Sequence, residues 1–199
     1  MDLDQGHIYH LYNQGNNHEK IFFTSANYSY FLKKIEQHIA PLADILAWCL
    51  MPNHFHLIIA VPSESDRVSD RVTSSHPVTL NSSIAIMLRS YTRAINIQEH
   101  RSGSLFRERT KAILLGTGQS EKLKHQNRIK TERTGASNSE EEYLQTCFRY
   151  IHFNPVKAGL VQKDVDWEFS SARDFTGMRN ESLINKKLAE ELGLKISSE

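Results

Sequence analysis

In the first part of the chain, apolar residues recur first at every second position and then at every third or fourth position. Residues 7–13 alternate and predict a first strand, which ends in a stretch rich in turn-forming residues. From Thr24 or Ser25 to about Ile39 the apolar side chains recur every three or four residues, which predicts a helix. The chain therefore opens with a strand followed by an amphipathic helix.

The middle of the chain predicts a hairpin followed by a long helix. Strands are predicted at 45–50 and 54–61, and the tight link between them indicates an antiparallel pair. Residues 80–98 place their large apolar side chains on one side and predict the longest helix. Gly103 then breaks the chain before a fourth strand, which ends in the apolar run 112–115.

The last third of the chain predicts two more helices. One begins near Ser139 and ends at Asn154-Pro155, because proline disfavours a continuing helix. The other covers about residues 182–192. Two polar stretches, about 63–77 and 116–138, are poor in large apolar residues and predict exposed insertions.

The order strand, helix, strand, strand, helix, strand is that of a split βαβ, or ferredoxin-like, fold. We therefore expect an α+β protein: an antiparallel sheet with helices on one face, plus a C-terminal helical appendage. The main domain is expected over residues 1–175 and the helical tail over 176–199.

Composition adds constraints on location and redox state. No apolar run approaches the roughly 20 residues that a membrane helix requires, and the N-terminus lacks a signal-peptide layout, so we expect no membrane partner and a cytoplasmic protein. Cys49 and Cys147 lie in separate apolar segments without metal-type spacing, which predicts buried free thiols.

The net charge of +1 conceals a segregated basic region. Between Arg89 and Arg133 the chain carries 11 Lys and Arg residues against 4 Asp and Glu residues. Such local charge density favours a polyanion-binding surface, although a solvated charged loop would have the same composition.

Candidate chemistry begins with a pair of histidines at the start of the third strand. His54 and His56 leave the same face of that strand, so both rings can bind one metal ion; hydrogen-bonded core histidines are the alternative. A helix lying over the sheet could bring Tyr91 to face them. The alternative is that Tyr91 packs in the core.

Four motifs in order resemble those of the single-tyrosine HUH transposases, in particular the REP-associated tyrosine transposases. The resemblance covers about residues 7–175. The motifs are His54-Phe-His56 after Pro-Asn, Ser90-Tyr-Thr-Arg-Ala-Ile-Asn96, Gly103-Ser-Leu-Phe106 followed by Arg109 and Lys111, and Tyr150-Ile-His-Phe-Asn-Pro-Val-Lys-Ala-Gly-Leu160.

The resemblance implies an enzyme that cleaves single-stranded DNA near hairpins and rejoins the strands. Tyr91 would attack a phosphodiester, giving a 5′-phosphotyrosine intermediate and a free 3′-OH. His54 and His56 would hold a divalent cation, Mg²⁺ or Mn²⁺, that polarises the phosphate. The partner would be single-stranded DNA with a hairpin or palindromic repeat, and the protein would act as a monomer or a homodimer.

The third metal ligand and the DNA contacts are less defined. Family members take the ligand from the tyrosine helix about one turn further on, where Ile95 cannot bind a metal. Asn96 is favoured and Gln98 is the alternative. The basic residues nearest this chemistry in sequence are expected to contact the DNA backbone. They are Arg93, Arg107, Arg109 and Lys111.

Other roles stay open at this point. His152 and Asn154 could line the DNA site, but a helix stop and turn explain the Tyr150–Leu160 motif equally well and are favoured. His10 could face the site or pack in the core. A domesticated relative that binds DNA hairpins without turnover is the alternative function, whereas a histidine-triad nucleotide hydrolase is disfavoured because Ile58 occupies the position of a required histidine.

Overall fold

The computed structural model describes residues 3–63, 79–117, 137–179 and 183–196. Both polar stretches expected as insertions fall largely outside these residues. The four strands are β1 (His7–Gln14), β2 (Asp44–Met51), β3 (His54–Ala60) and β4 (Lys111–Thr117). The helices are α1 (Ser25–His38), α2 (Leu80–Gln98), α3 (Ser137–Lys157), α4 (Ala172–Phe175) and α5 (Lys186–Glu191).

The four strands form one antiparallel sheet in the order β2-β3-β1-β4. β2 and β3 form the expected hairpin, and β1 is inserted between β3 and β4. This order is the one that a split βαβ chain produces. The predicted α+β class and ferredoxin-like sheet are therefore confirmed.

Helices α1 and α2 cover one face of the sheet, as expected. Side chains that alternate along β3, such as Phe55 and Leu57, point into the same hydrophobic cluster as the buried face of α2. On α2 that buried face consists of Leu80, Ile84, Met87, Tyr91 and Ile95.

Helix α3 covers the opposite face of the sheet, whereas the predicted fold has its helices on one face only. Ile58 and Ala60 of β3 point to this side and join a second hydrophobic cluster. Helix α3 contributes a stripe of apolar residues spaced three and four apart: Leu144, Cys147, Phe148 and Ile151. The histidines of β3 alternate with Phe55 and Leu57, so they face α3 and not α2.

The expected helix stop at Asn154-Pro155 is wrong. Helix α3 continues through Pro155 to Lys157, and Gly159 then adopts a positive φ of 69°. Proline disrupts a helix mainly by losing one amide donor and crowding the carbonyl four residues earlier. Here it lies in the last turn, so little helix remains to be disrupted, and Asn154 stays helical.

The C-terminal region packs against the sheet. The backbone of residues 169–171 hydrogen-bonds along the outer edge of β2, where Cys49 and Ser170 form an isolated bridge. In and after α5, Ala189 and Leu194 are buried in the second cluster. The division into a domain and a tail stays a prediction.

Two further expectations concern cysteines and membranes. Cys49 and Cys147 are both buried and free, as predicted. Among the described residues, no helix is long and apolar enough to cross a bilayer.

Candidate metal and nucleophile site

His54 and His56 line a pocket between the sheet and α3, with a volume of about 250 Å³. Their ring centroids lie 4.9 Å apart, close enough for both rings to bind one ion. The other neutral lining residues are Tyr12, Asn13, Gln14 and Tyr150. The basic lining residues are Arg107, Arg109 and Lys111.

The hydrogen bonds of the two histidines orient their rings. His54 Nδ1 lies 2.6 Å from Asn53 Oδ1, which can only accept, so Nδ1 carries the proton and Nε2 keeps a lone pair. His56 Nδ1 lies 2.8 Å from His10 Nε2, and Asn154 Nδ2 donates to His56 Nε2 at 3.1 Å. Since Nε2 of His56 accepts, its Nδ1 holds the proton and donates to His10. Neighbours that fix the tautomer in this way are typical of metal-binding histidines.

Burial keeps these rings neutral near pH 7. It lowers the pKa of His54 to about 4 and that of His10 to about 4. Burial, followed by the charges of His10 and His54, lowers the pKa of His56 well below its usual value. A neutral imidazole is the form that binds a metal, so the rings need not lose a proton first.

Helix α3 brings a tyrosine to this pocket and an amide to His56. The ring of Tyr150 lies 5.7 Å from that of His56, edge to face, and its side chain is 47% exposed. Asn154, four residues later on the same helix, contacts His56 directly. Residues at i and i+4 share a helix face, so both side chains point to the histidine pair.

The donor set fits a divalent cation. Rotating the Asn154 amide by half a turn would exchange Nδ2 for Oδ1, which would then lie near His56 Nε2 at the present 3.1 Å spacing. Neighbouring donors around an octahedral Mg²⁺ with bonds near 2.1 Å lie about 3 Å apart. Within the described residues no group of three or more His, Cys, Asp or Glu side chains is placed to hold a metal ion, so a third protein ligand would have to be of another type, such as this amide.

No carboxylate is among the residues that line this pocket. Two imidazoles and one amide carry no formal charge to offset that of a divalent cation. A phosphate entering the pocket would supply that charge. The site is therefore suited to an ion that is held jointly by protein and an anionic substrate.

Tyr91 lies on the opposite face of the sheet, so the prediction that α2 brings it to the histidines is wrong. Its side chain is fully buried, and its hydroxyl donates to the backbone carbonyl of Ile21 at 2.8 Å. Burial, followed by Tyr28 and Tyr30, raises the pKa of Tyr91 further above its usual value. A hydroxyl in this position cannot reach a phosphate in the histidine pocket.

The two candidate ligands on α2 also lie away from the histidines. Asn96 donates to the carbonyl oxygen of Gly103 at 2.8 Å and lines a different, larger groove beside α2. Gln98 exchanges hydrogen bonds with Asn27. Neither side chain lines the histidine pocket, so the expectation that α2 supplies the third ligand is wrong in its geometry.

Three of the four predicted DNA-binding residues do lie at the site. Arg107, Arg109 and Lys111 line the histidine pocket and also the groove beside α2, which has a volume of about 1360 Å³. Arg93 lines only that groove. The basic residues thus form a wall between two recesses on either side of β4.

The sequence contained a signal for the residues that were missed. The expected ligand spacing, one helical turn after a tyrosine, fails at Ile95 but is met by Tyr150 and Asn154. A helix that stopped at Asn154-Pro155 would not hold Tyr150 and Asn154 on a common face, whereas the observed helix does. His152, the other candidate in that motif, is buried and bonds to Ser171 Oγ at 2.8 Å, away from the pocket.

Comparison with known proteins finds similarity at the level of structure. The sequence matches no family model and no curated protein. A solved structure described as a REP-associated tyrosine transposase bound to a REP hairpin is similar to this chain, with a TM-score of 0.52 and 17% sequence identity. The match covers 92% of this chain and 87% of that one. At this identity the likeness establishes a shared fold.

Proposed function

We propose that this protein is a metal-dependent DNA strand transferase that cleaves single-stranded DNA through a covalent tyrosine intermediate. Tyr150 is the nucleophile, and His54, His56 and Asn154 hold the divalent cation. The observation that carries the proposal is the convergence of an exposed phenol and two neutral imidazoles in one pocket with a basic wall, with an amide bonded to one of the imidazoles.

The chemistry follows from these groups. The Tyr150 hydroxyl attacks the phosphorus atom and the bond to the 3′ oxygen breaks. The strand on the 3′ side of the cut then stays linked to the tyrosine through its 5′ phosphate, and the other strand ends in a free 3′-OH. A bound Mg²⁺ or Mn²⁺ would polarise the phosphate and offset its developing charge. Because the phosphotyrosine bond retains the energy of the cleaved bond, a 3′-OH can reverse the step without ATP.

The remaining residues of the pocket bind and orient the substrate. Arg107, Arg109 and Lys111 place positive charge where the backbone of a DNA strand would enter. His10 and Asn53 hold the two histidine rings in the tautomer that presents Nε2. The nucleophile and the metal ligands belong to the same chain, so one molecule carries a complete set.

The substrate is single-stranded DNA that carries a hairpin. This part of the proposal is supported by the solved transposase of the same fold, which is bound to a REP hairpin, and by the four motifs in which this sequence resembles that class. It extends to strand transfer in DNA transposition, since the covalent intermediate can be resolved by a different 3′-OH.

The test is covalent capture. Purified protein is incubated with a 5′-extended, hairpin-bearing oligonucleotide labelled on the 3′ side of the expected cut, with Mn²⁺ or Mg²⁺, and separated under denaturing conditions. We expect a labelled protein–DNA adduct that disappears on chelation. Binding of the hairpin without any adduct would contradict the strand transferase and favour a hairpin-binding protein without turnover.

A further inference from the structure

A second tyrosine, Tyr12 of the sheet, lines the same pocket as Tyr150 of α3. It lies on β1, where its backbone is paired with His56 of β3 and with Lys111 of β4. Its ring stacks on His10 with centroids 4.9 Å apart and lies 5.8 Å from His56. Strand pairing and stacking therefore fix the ring beside the metal ligands.

The hydroxyl of Tyr12 is not used by the fold. Within the described ranges, no residue forms a hydrogen bond with it. The hydroxyl of Tyr91, by contrast, is bonded to Ile21, and that of Tyr9 accepts from the amide of Asp4. The two tyrosines of the pocket, Tyr12 and Tyr150, are thus both available to a substrate.

The proposed reaction needs a proton donor for the leaving oxygen. When Tyr150 attacks, the 3′ oxygen leaves with the bonding electrons, and an alkoxide is a poor leaving group unless it is protonated. The histidines cannot supply the proton, because the Nδ1 protons of His54 and His56 are donated to Asn53 and His10. Arginine stays protonated in proteins, so Arg107 and Arg109 cannot act as acids either.

We propose that Tyr12 is a further catalytic residue, the general acid that protonates the leaving 3′ oxygen. This inference rests on the proposed function. As the bond from Tyr150 Oη to phosphorus forms and the bond to O3′ breaks, the electron pair on O3′ takes the proton of the Tyr12 hydroxyl. The proton of Tyr150 passes to solvent, and Tyr12 recovers one from water, so no proton is consumed. In the reverse reaction, Tyr12 acts as the base that activates the 3′-OH.

The neighbouring Lys111 is the competitor of Tyr12 for this role. It is the backbone partner of Tyr12 on β4 and lines the same pocket. Lys111 is exposed to solvent, whereas Tyr12 is half-buried beside the ligands. A test must therefore separate loss of the Tyr12 proton from loss of the Lys111 charge.

A substrate with sulfur in place of the leaving 3′ oxygen makes that separation. A thiolate has a conjugate acid with a pKa near 8.5, far below that of an alcohol, and leaves without prior protonation. Single-turnover adduct formation is measured for Tyr12→Phe with the ordinary oligonucleotide and with the 3′-bridging phosphorothiolate version. We expect a loss of about 100-fold with oxygen, typical for a general acid, and a wild-type rate with sulfur.

Three control measurements accompany this test. Tyr143→Phe removes an exposed phenol from α3, outside the pocket, and should match wild type on both substrates. Tyr12→Phe keeps the ring that stacks on His10, and its thermal melting should equal that of wild type. Lys111→Gln should slow both substrates to a similar degree, because its charge acts on binding.

Three results would overturn the assignment. Equal losses of Tyr12→Phe on both substrates would make Tyr12 a structural residue or a nucleophile. No loss with oxygen would remove it from the reaction, and sulfur rescue of Lys111→Gln alone would transfer the acid role to Lys111. If wild-type protein forms no adduct with either substrate, the proposed function fails first, and this inference with it.

Discussion

Helices α2 and α3 each carry a tyrosine within one of the four sequence motifs, yet they lie on opposite faces of the sheet. Tyr91 on α2 is fully buried and bonded to a backbone carbonyl, whereas Tyr150 on α3 is 47% exposed beside His56. The comparison teaches that a helical tyrosine's phase relative to its apolar stripe decides whether its ring packs in the core or opens onto a pocket. Tyr91 lies within the stripe of its helix, and Tyr150 lies at the edge of its own.

Replacing Tyr150 should have the largest effect on adduct formation. Tyr150→Phe removes the proposed nucleophile, so we expect adduct formation to fall at least about 1,000-fold while hairpin binding persists. Adduct yield on denaturing gels and DNA affinity by fluorescence anisotropy measure the two quantities. An undiminished adduct would remove Tyr150 from the role.

Loss of the metal should have the next largest effect. Either chelation or His56→Ala should slow adduct formation by on the order of 100-fold, because polarisation of the phosphate is lost. Added Mn²⁺ should restore the chelated wild-type protein but not the variant. Activity that is indifferent to chelator would contradict the assignment of His54 and His56 as ligands.

The two asparagines extend the comparison of the helices to the third ligand. Asn154→Ala should weaken Mn²⁺ binding in the presence of DNA by about 10- to 100-fold. Asn96→Ala loses a hydrogen bond to Gly103 outside the pocket and should bind Mn²⁺ as wild type does. Titration of Mn²⁺ by electron paramagnetic resonance measures both. The reverse order would return the third ligand to α2.

Tyr91→Phe should produce the smallest change, and it should lower the stability of the protein and not its activity. It removes one buried hydrogen bond, so we expect the free energy of unfolding to fall by about 1 kcal/mol. The rate of adduct formation should not change. Urea denaturation gives the first quantity and single-turnover kinetics the second; a large loss of rate in a folded variant would contradict the packing role.

Much of the fold could be predicted from periodicity alone. Alternation located β1 and β3, and the stripe that includes Ile84 and Met87 located α2, because burial on one side imposes these periods. The order of elements then indicated the sheet. The face on which α3 lies could not be predicted, since an amphipathic stripe states that a helix is packed but not against which face.

The site was predictable in part. The i, i+2 spacing of His54 and His56 guarantees a shared face, so the proximity of their rings follows from local geometry. The tyrosine depends on long-range packing, which sequence spacing does not encode. Its own stripe was nevertheless informative: Tyr91 continues the apolar spacing of Ile84 and Met87, and that pattern by itself favours the core.

Identifying the tyrosine that becomes linked to DNA tests the central claim most directly. The adduct formed by wild-type protein is digested with trypsin and nuclease. The peptide that retains a nucleotide linked through its 5′ phosphate is sequenced by mass spectrometry. We predict that the modified residue is Tyr150. Modification of Tyr91, or of any other tyrosine, would contradict the account.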